Sequence, residues 1–326
     1  MIDLSITIVN YNTKDLLKQC IKSIYEQTKN ISFEIIVVDN ASTDGSIDLL
    51  KQRFPMVIFI GNTMNLGFGK ANNQAVKRSK GEYILFLNSD TYCTSDVIKE
   101  MINYADNNND IGVVGIRLLN PDGTIQRSSH TFPSVKTVFF HIFKAKRFLP
   151  LVKRFLNKCS ILNSILDKEL TSYIFYERLN SPIEVDVVPG ACMLVRKEIL
   201  EMVRGFDENF FLYFEDIDLC KRIKKNNYKI ILIPEVGIVH YGGASFRTSF
   251  LDFSPERYKG IIYYFAKHHS LIDNIVVRLL FIVIIPLKLI GILLKTKDNA
   301  SKKKAIKSTL GVFYELLNTP LGLKSL

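Results

Sequence analysis

The pattern that most constrains this chain is an apolar strand that stops at a cluster of polar side chains. Residues 83–87 read Tyr-Ile-Leu-Phe-Leu, and Asn88, Ser89 and Asp90 follow directly. Such a run predicts a buried strand, and in an open α/β sheet ligands bind where the strands end. Asn-Ser-Asp is also ordinary turn chemistry, so the interpretation depends on the rest of the sequence.

The same pairing of an apolar strand with a polar end recurs earlier in the chain. Buried strands are predicted at four apolar runs, residues 4–9, 33–38, 56–60 and 83–87. Helices are predicted between them, over residues 14–27, 47–53 and 67–79. Later apolar runs predict strands that rejoin the core, over residues 185–188, 192–195, 229–233 and 236–239. The alternation through about residue 118 predicts an α/β fold with a doubly wound, mostly parallel sheet.

Composition narrows the class of protein. The 326 residues are 47% hydrophobic and 23% charged, which is typical of a globular protein with a sizeable core. The formal net charge of +11 indicates anionic partners, such as nucleic acid, phosphorylated ligands or an acidic membrane face. Five cysteines without a CxxC pair are typical of reduced thiols. The sequence opens directly with a strand and not with a signal peptide, so we expect no export.

The C-terminal part has a different character. Residues 275–294 are strongly apolar but are interrupted by Arg278, Pro286 and Lys288. A helix that spans the membrane needs about 20 mostly apolar residues, so this segment is borderline in length. The two cations and the proline inside it favour a helix that lies in the membrane interface. The lysines that follow suit the anionic inner face of the cytoplasmic membrane. A buried core helix with a solvated basic end is the alternative.

Two aspartates end strands of the predicted sheet. Asp39 could accept a hydrogen bond from a base or a ribose, and Asp90 could hold a divalent cation that bridges two phosphates. The loop and helix start between them are rich in glycine and asparagine, at Asn65, Gly67, Gly69, Asn72 and Asn73. Glycine lets the backbone approach a ligand, and a helix N-terminus favours a phosphate. A polar turn with a helix cap is the alternative for this cluster.

An acidic segment, residues 205–222, contains the candidate for a general base. Asp216 falls at the predicted start of a helix, where capping alone could explain a carboxylate. Asp218 and Arg222 have the i, i+4 spacing of an ion pair. Aromatic residues at positions 211, 213 and 214 should desolvate the carboxylates and raise their pKa values, which is how a general base is made. His240 ends a strand before two glycines and is a candidate metal ligand.

Six motifs in this order resemble the family 2 inverting glycosyltransferases of the GT-A fold. They lie at residues 4–12, 37–46, 65–73, 85–90, 206–222 and 240–243. The last two are similar to the rhamnosyltransferase-like branch of that family, and the similarity covers about residues 3 to 250.

The resemblance implies a role for individual residues. Asp39 would bind the nucleotide base, Asp90 would be the metal-holding end of the family's Asp-x-Asp motif, and Asp216 would deprotonate the acceptor hydroxyl. His240 would be a further metal or diphosphate contact. Asn88 departs from the family, because many relatives carry the first aspartate there, and asparagine coordinates a metal more weakly.

The full set of predicted site residues follows from these motifs. The catalytic base is Asp216, and the ligands of a divalent cation, Mg²⁺ or Mn²⁺, are Asp90 and His240. The nucleotide-sugar-binding residues are Asn10, Asp39, Asn65, Gly67, Asn72, Asn88, Ser89 and Glu215.

The resemblance also implies an organisation and an activity. We expect a GT-A glycosyltransferase domain over residues 1–250, a basic amphipathic insertion at about 120–183, and a helical, membrane-associating region over 251–326. The enzyme would move a sugar, with rhamnose from dTDP-rhamnose favoured, to a lipid-linked saccharide in bacterial cell-surface polysaccharide synthesis. It would act peripherally or monotopically at the cytoplasmic face of the cell membrane, without nucleic acid as a partner. A homo-oligomer remains open.

Two other classes of protein compete with this interpretation. A Rossmann-type oxidoreductase should carry Gly-x-Gly-x-x-Gly after the first strand, where residues 10–13 read Asn-Tyr-Asn-Thr. A non-catalytic module that binds membrane or nucleic acid should gather its basic residues on one surface, and it gives no reason for acids at strand ends.

Overall fold

The computed structural model describes residues 2–142, 179–242, 255–295 and 298–322. These residues divide into two compact units. The first unit comprises residues 2–132, 179–211 and 215–242. The second comprises residues 133–142, 212–214, 255–295 and 298–322. The predicted boundary at residue 250, most of the predicted basic insertion and Gly243 of the last motif lie outside the described residues.

The first unit is built on a mixed sheet. Its strands are β1 Leu4–Asn10, β2 Phe33–Asp39, β3 Ile58–Gly61, β4 Tyr83–Asn88, β5 Thr91–Tyr92, β6 Ile111–Leu119, β7 Ile183–Glu184, β8 Cys192–Arg196 and β9 Lys229–His240. The order across the sheet is β3-β2-β1-β4-β8-β6-β9-β5, and β7 pairs with β9. The half from β3 to β4 is parallel, while β8 runs antiparallel to both β4 and β6.

The helices of the described residues follow the chain in this order: α1 Lys14–Gln27, α2 Ser46–Arg53, α3 Phe68–Val76, α4 Val97–Asp106, α5 Val135–Ile142, α6 Lys197–Met202, α7 Glu215–Lys225, α8 Pro255–His268, α9 Leu271–Lys295 and α10 Asn299–Asn318. Helix α5 and helices α8 to α10 belong to the second unit.

Apolar clusters cover both faces of the sheet, which explains why β4 reads as an almost unbroken apolar run. On one face Leu17 of α1 and Met101 of α4 pack with alternate residues of β1 and β4. On the other face Phe206, which precedes α7 in the chain, and Leu219 of α7 pack with Phe86 of β4. Successive residues of each strand thus point to opposite faces of the sheet.

Parallel pairing brings the polar strand ends together. Asn10 at the end of β1 lies beside Asp39 at the end of β2, and Val9 lies beside Asn88 on β4. The predicted helix over residues 14–27 and the strand ends at Asn10, Asp39 and Asn88 are therefore confirmed.

The later strands differ from the sequence predictions. The strand expected over residues 185–188 is wrong, since the short strand is Ile183–Glu184 and Val187 only bridges His130. The two strands expected over 229–233 and 236–239 are one strand, β9, with a register shift opposite Ile116 and Arg117. A β-bulge of this kind lets a strand continue past Pro234.

The second unit is helical. Helix α9 is long and apolar enough to cross a membrane over Leu271–Leu294, and 33% of its most apolar stretch is buried within the protein. Helices α8, α9 and α10 pack on one another. Inside this packing Phe281 of α9 meets Tyr258 of α8 edge to face.

Candidate functional site

The end of β2 presents a carboxylate whose orientation is fixed by neighbouring donors. The Asn10 amide nitrogen donates to Asp39 Oδ1 at 2.6 Å. Ser42 donates twice, from its backbone nitrogen to Oδ2 at 2.9 Å and from its hydroxyl to Oδ1 at 2.6 Å. The Ser42 bonds place the first turn after β2 around the carboxylate, which is an Asx-type turn. Asp39 is therefore held in one position at the edge of the sheet.

A buried chain of hydrogen bonds connects this carboxylate with the end of β4. Thr13 donates to Asn10 Oδ1 at 2.7 Å and its hydroxyl also contacts the Ser89 hydroxyl at 2.8 Å. Asn10, Thr13 and Ser89 are all buried. For Asn10 and Ser89, which were predicted to contact the donor, this geometry favours a role in positioning Asp39 and the loop that carries Asp90.

Asp90 lies beside His240, the last residue of β9. Their Oδ1 and Nε2 atoms are 3.3 Å apart, and the Asn88 amide nitrogen is 3.3 Å from the same Nε2. The pairing of Thr91 on β5 with His240 on β9 fixes this arrangement. The structure thus brings together Asn88, Asp90 and His240, which are far apart in the sequence.

The separation of Asp90 and His240 fits two ligands of one small divalent cation. Bonds of about 2.1 Å at a right angle place the two ligand atoms about 3 Å apart. Among the described residues no third histidine, cysteine or carboxylate joins them. Mg²⁺ suits such a sparse set, because it commonly takes one or two carboxylates and completes its shell with water and substrate phosphates. The amide oxygen of Asn88 is a further candidate ligand after rotation of its side chain.

The loop before α3 approaches another backbone very closely. Gly67 has φ of +85°, and a Cβ there would collide with the carbonyl oxygen of Phe211. The backbone nitrogen of Phe68 donates to that same carbonyl at 2.9 Å. Asn65 accepts from the Gly67 nitrogen at 2.9 Å and closes the turn. Gly67 is therefore required for the loop to lie against the acidic segment, residues 205–222.

Two neighbouring asparagines of α3 have structural partners. The Asn72 side chain, 1% exposed, accepts from the Thr7 hydroxyl at 3.0 Å and donates to the Phe68 carbonyl at 3.1 Å. The geometry thus favours a role in fastening α3 to β1, whereas donor contact was predicted. Asn73 clamps the backbone of Phe206 with both amide atoms, at 2.9 and 3.0 Å.

Asp216 lies in the first turn of α7 and is half-buried. Its Oδ2 accepts from the Gly190 backbone nitrogen at 3.1 Å, and its Oδ1 accepts from the Ile217 nitrogen at 2.8 Å. Burial raises the pKa of Asp216 above its ordinary value, and the two backbone bonds oppose that rise. The result is a carboxylate of increased basicity at a fixed position.

Glu215 precedes it and is more deeply buried, at 5% exposure. Its Oε2 has no hydrogen-bond partner among the described residues. Burial, and then the negative charge of Asp216, raise the pKa of Glu215 well above its ordinary range. A Cβ added at Gly69 would lie 3.7 Å from the Cβ of Glu215, so this glycine lies directly against it.

The residues immediately before α7 have an unusual backbone. Tyr213 and Phe214 both have positive φ angles, +69° and +74°. Each costs about 1 kcal/mol or more for a residue with a side chain. Backbone strain of this kind concentrates at functional sites.

Asp218 is a structural residue. It is completely buried, and Arg222 Nε donates to its Oδ2 at 2.7 Å. The same guanidinium donates to the carbonyls of Val203 and Gly205. The predicted i, i+4 ion pair is confirmed, and it ties α7 to the turn after α6.

Sequence reasoning missed several residues that contact predicted site residues, and three of them bear directly on the proposed chemistry. Gly190 donates to Asp216, Thr13 connects Asn10 with Ser89, and Gln126 contacts His240 Nδ1 at 2.9 Å. Thr13 follows a strand end, which is a usable signal. Gly190 and Gln126 lie 26 and 114 residues from their partners, and no local pattern marks them.

Known structures share this architecture. A mannosyltransferase from Pyrobaculum calidifontis, solved with GDP-mannose and Mn²⁺, matches 96% of this chain and 81% of its own at a TM-score of 0.54 and 15% identity. Staphylococcus aureus TarS, in its 1–349 form, matches 98% of this chain and 73% of its own at a TM-score of 0.50 and 16% identity. The α/β sheet with polar strand ends therefore has the GT-A fold.

The family is established by sequence. The family model described as "Glycosyl transferase family 2" matches residues 5–204, and the chain belongs to this family. The chain is 24% identical over 280 residues to an N-acetylglucosaminyl-diphospho-decaprenol L-rhamnosyltransferase of Mycobacterium tuberculosis, covering 82% of this chain and 85% of the relative. It is 26% identical to the rhamnosyltransferase WbbL of Escherichia coli K12, covering 82% and 94%. The protein is thus a family 2 glycosyltransferase that is similar to named rhamnosyltransferases, which excludes the oxidoreductase and the non-catalytic module.

Proposed function

We propose that this enzyme transfers rhamnose from dTDP-rhamnose to a lipid-linked saccharide, with inversion at the anomeric carbon, in bacterial cell-surface polysaccharide synthesis. The M. tuberculosis relative is named for a decaprenol-linked acceptor and spans most of both chains, which supports the sugar and the acceptor class. The observation that carries the proposal is Asp216, a half-buried carboxylate with a raised pKa, fixed by two backbone donors.

Asp216 acts as the general base in this proposal. The acceptor oxygen forms a bond to the anomeric carbon while the bond from that carbon to the diphosphate oxygen breaks. The acceptor proton passes to Asp216, and the electron pair of the broken bond leaves with the nucleoside diphosphate. A base of raised pKa takes that proton more effectively than an ordinary aspartate. A single displacement inverts the configuration at the attacked carbon.

Asp90 and His240 would hold a divalent cation, Mg²⁺ or Mn²⁺, with Asn88 as an additional oxygen ligand. The cation, when bound, neutralises charge on the departing diphosphate. The 3.3 Å separation of Asp90 Oδ1 and His240 Nε2 supports the assignment. The single carboxylate also supports it, because the diphosphate of the donor can supply further oxygen ligands.

The nucleotide lies along the carboxyl ends of β1, β2 and β4 in this proposal. Asp39 accepts hydrogen bonds from the base, and its orientation by Asn10 and Ser42 supports that role. Asn65 and Gly67 shape the loop beside it. Glu215 lines the sugar end of the site in its neutral form, which its burial favours.

The partner of the second unit is the anionic face of a lipid bilayer. The two cations that interrupt α9 are turned inward: Arg278 donates to the carbonyls of Thr319 and Pro320 at 2.7 and 3.0 Å. Lys288 donates to the Tyr258 hydroxyl at 2.8 Å. Because both side chains bond to other groups of the second unit, these two cations do not interrupt the outer surface of α9.

An apolar surface remains on the outside of α9 and α10. On α9 it consists of Ile272, Leu279, Val283, Leu287, Ile290 and Leu294, each more than half exposed. On α10 it continues with Leu310, Tyr314 and Leu317. Lys303 and Lys307, near the start of α10, are exposed. An apolar face with adjoining lysines fits insertion into an anionic interface at the cytoplasmic side. Nucleic acid is not part of this proposal.

A donor screen tests the proposed activity. The full-length protein is incubated with Mg²⁺ or Mn²⁺, a polyprenyl-diphosphate-linked saccharide and one of dTDP-rhamnose, UDP-N-acetylglucosamine or GDP-mannose, and release of nucleoside diphosphate is measured. We expect acceptor-dependent release with dTDP-rhamnose that Asp216→Asn removes. Acceptor-dependent release with another donor alone would refute the sugar, and undiminished release by the variant would refute the base.

A further inference from the structure

Gln126 is positioned by the hairpin that follows β6. The chain turns at residues 120–123 and returns so that Ile125 bridges Leu119. Because Leu119 pairs with Val239 on β9, the return places Gln126 beside the end of β9. Its amide nitrogen donates to the His240 carbonyl at 2.6 Å, and its amide oxygen lies 2.9 Å from His240 Nδ1. The side chain thus spans the backbone and the ring of one histidine.

The orientation of the Gln126 amide is determined by groups that can only accept. A backbone carbonyl accepts and never donates, so the atom facing the His240 carbonyl must be the amide nitrogen. The second proton of that nitrogen goes to Asn120 Oδ1 at 2.7 Å. Both protons are thereby used, and the amide oxygen is the atom that faces the imidazole ring.

A second line of hydrogen bonds fixes the same orientation. The Thr124 hydroxyl donates to the Asp122 carboxylate at 2.6 Å, and its oxygen accepts from the Asn120 amide nitrogen at 2.8 Å. The remaining atom of the Asn120 amide is its oxygen, which therefore accepts from Gln126. The direction of every bond from the carboxylate of Asp122 to Gln126 is thus determined.

The consequence concerns the tautomer of His240. An amide oxygen can only accept, so Nδ1 must carry the proton, and in a neutral ring Nε2 then bears the lone pair. That lone pair faces Asp90 Oδ1 at 3.3 Å. The Asn88 amide nitrogen, also 3.3 Å from Nε2, can donate to the same lone pair, which agrees with this tautomer.

We infer that Gln126 is a positioning residue that fixes His240 in its Nδ1–H tautomer and so directs the Nε2 lone pair to the proposed divalent cation. The inference rests on the proposed metal site, while the tautomer itself is a property of the metal-free protein. Groups that orient a metal-binding histidine in this way change metal affinity by about 10- to 100-fold. Gln126 needs no contact with the cation, the donor or the acceptor.

The first experiment reads the tautomer directly. The sequence contains five histidines, so ¹⁵N-histidine labelling gives few signals, and His240→Asn assigns the relevant one. In the metal-free protein near pH 8 we expect the Nδ1–H tautomer in the wild type and loss of that preference in Gln126→Met. Gln126→Glu retains an acceptor and should retain the tautomer. A wild-type Nε2–H tautomer, or an unchanged tautomer in Gln126→Met, would overturn the inference.

The second experiment measures Mn²⁺ binding by calorimetry in the presence of dTDP. We expect Gln126→Met to weaken Mn²⁺ binding about 10- to 100-fold, Gln126→Glu to recover most of the loss, and the exposed control Gln52→Met to bind as the wild type does. Equal affinity of the wild type and Gln126→Met would overturn the inference while leaving the metal site intact. Absence of Mn²⁺ binding by the wild type would refute the metal site and the linked part of the inference, and the tautomer result would stand separately.

Discussion

Replacing Asp216 by asparagine removes the proposed base with little change in shape. The carboxylate now accepts from the Gly190 and Ile217 backbone nitrogens, and the amide can accept from only one of them. One lost hydrogen bond costs about 1 kcal/mol of unfolding free energy. The loss of a buried negative charge with a raised pKa offsets part of that cost. The variant should therefore fold.

The effect on catalysis should be much larger than the effect on stability. A positioned general base contributes roughly 10²- to 10⁴-fold, which corresponds to about 3–5 kcal/mol of transition-state stabilisation. We expect kcat to fall by that factor and donor affinity to stay nearly constant, because the base touches the acceptor. Single-turnover rates and dTDP binding by calorimetry measure the two quantities separately.

Asp218→Asn provides the matched control two residues away on the same helix. Asp218 is completely buried and paired with Arg222, so its replacement leaves a largely uncompensated cation and should cost about 3 kcal/mol of unfolding free energy. The folded fraction of this variant should retain kcat. The assignment of the base is refuted if the two variants lose activity equally, or if Asp216→Asn chiefly weakens donor binding.

Three further predictions address the cation, the buried glutamate and the membrane face. Asp90→Asn should weaken Mn²⁺ binding at least about tenfold, since it removes the one carboxylate ligand of the proposed site, and unchanged binding by calorimetry would contradict that site. The unfolding free energy of Glu215→Gln should rise relative to that of the wild type as the pH increases from about 4 to 7. A carboxyl whose pKa is raised in the folded state destabilises that state above its unfolded pKa of about 4.3, and glutamine lacks this penalty. Chemical denaturation at both pH values measures the difference, and a pH-independent difference would contradict the prediction. Leu287→Glu should weaken binding to anionic vesicles at least about tenfold, since a charge on the proposed membrane face costs on the order of 2 kcal/mol. The exposed control Met64→Glu should bind vesicles as the wild type does. A monomeric wild type that does not bind vesicles, or a change of oligomeric state in Leu287→Glu alone, would contradict the membrane as partner.

The sequence alone was sufficient to predict those helices and strand ends that a local pattern of residues determines. Helix α1 begins and ends where its amphipathic spacing predicted, over Lys14–Gln27. The ends of β1, β2 and β4 were predicted because an apolar run that stops at a polar residue marks a buried parallel strand. Their convergence followed from parallel pairing alone, which places Asn10 beside Asp39.

The remainder depended on pairings between distant segments. Strand β8 lies antiparallel between β4 and β6. The sequence of residues 192–196 predicts a strand but does not indicate which strands it pairs with. Asn72 reads as a ligand-loop residue, yet its partner is Thr7, 65 positions earlier. Only the folded register reveals that this side chain is occupied.

The interior of the site explains how an asparagine can stand where the family commonly has a carboxylate. The Asn88 amide nitrogen lies against His240 Nε2, on the same side of the ring as Asp90, so in the metal-free state it occupies the lone pair that Gln126 exposes. Donor binding with a cation would displace this weak contact and free the Asn88 side chain to rotate its oxygen toward the metal. In the proposed site a neutral ligand would lower the negative charge that the diphosphate meets as it enters, and His240 would supply the ligand that a carboxylate at position 88 would have given. In this proposal the Asn88 amide nitrogen would contact His240 in the metal-free protein, and the Asn88 amide oxygen would contact the cation once the donor is bound.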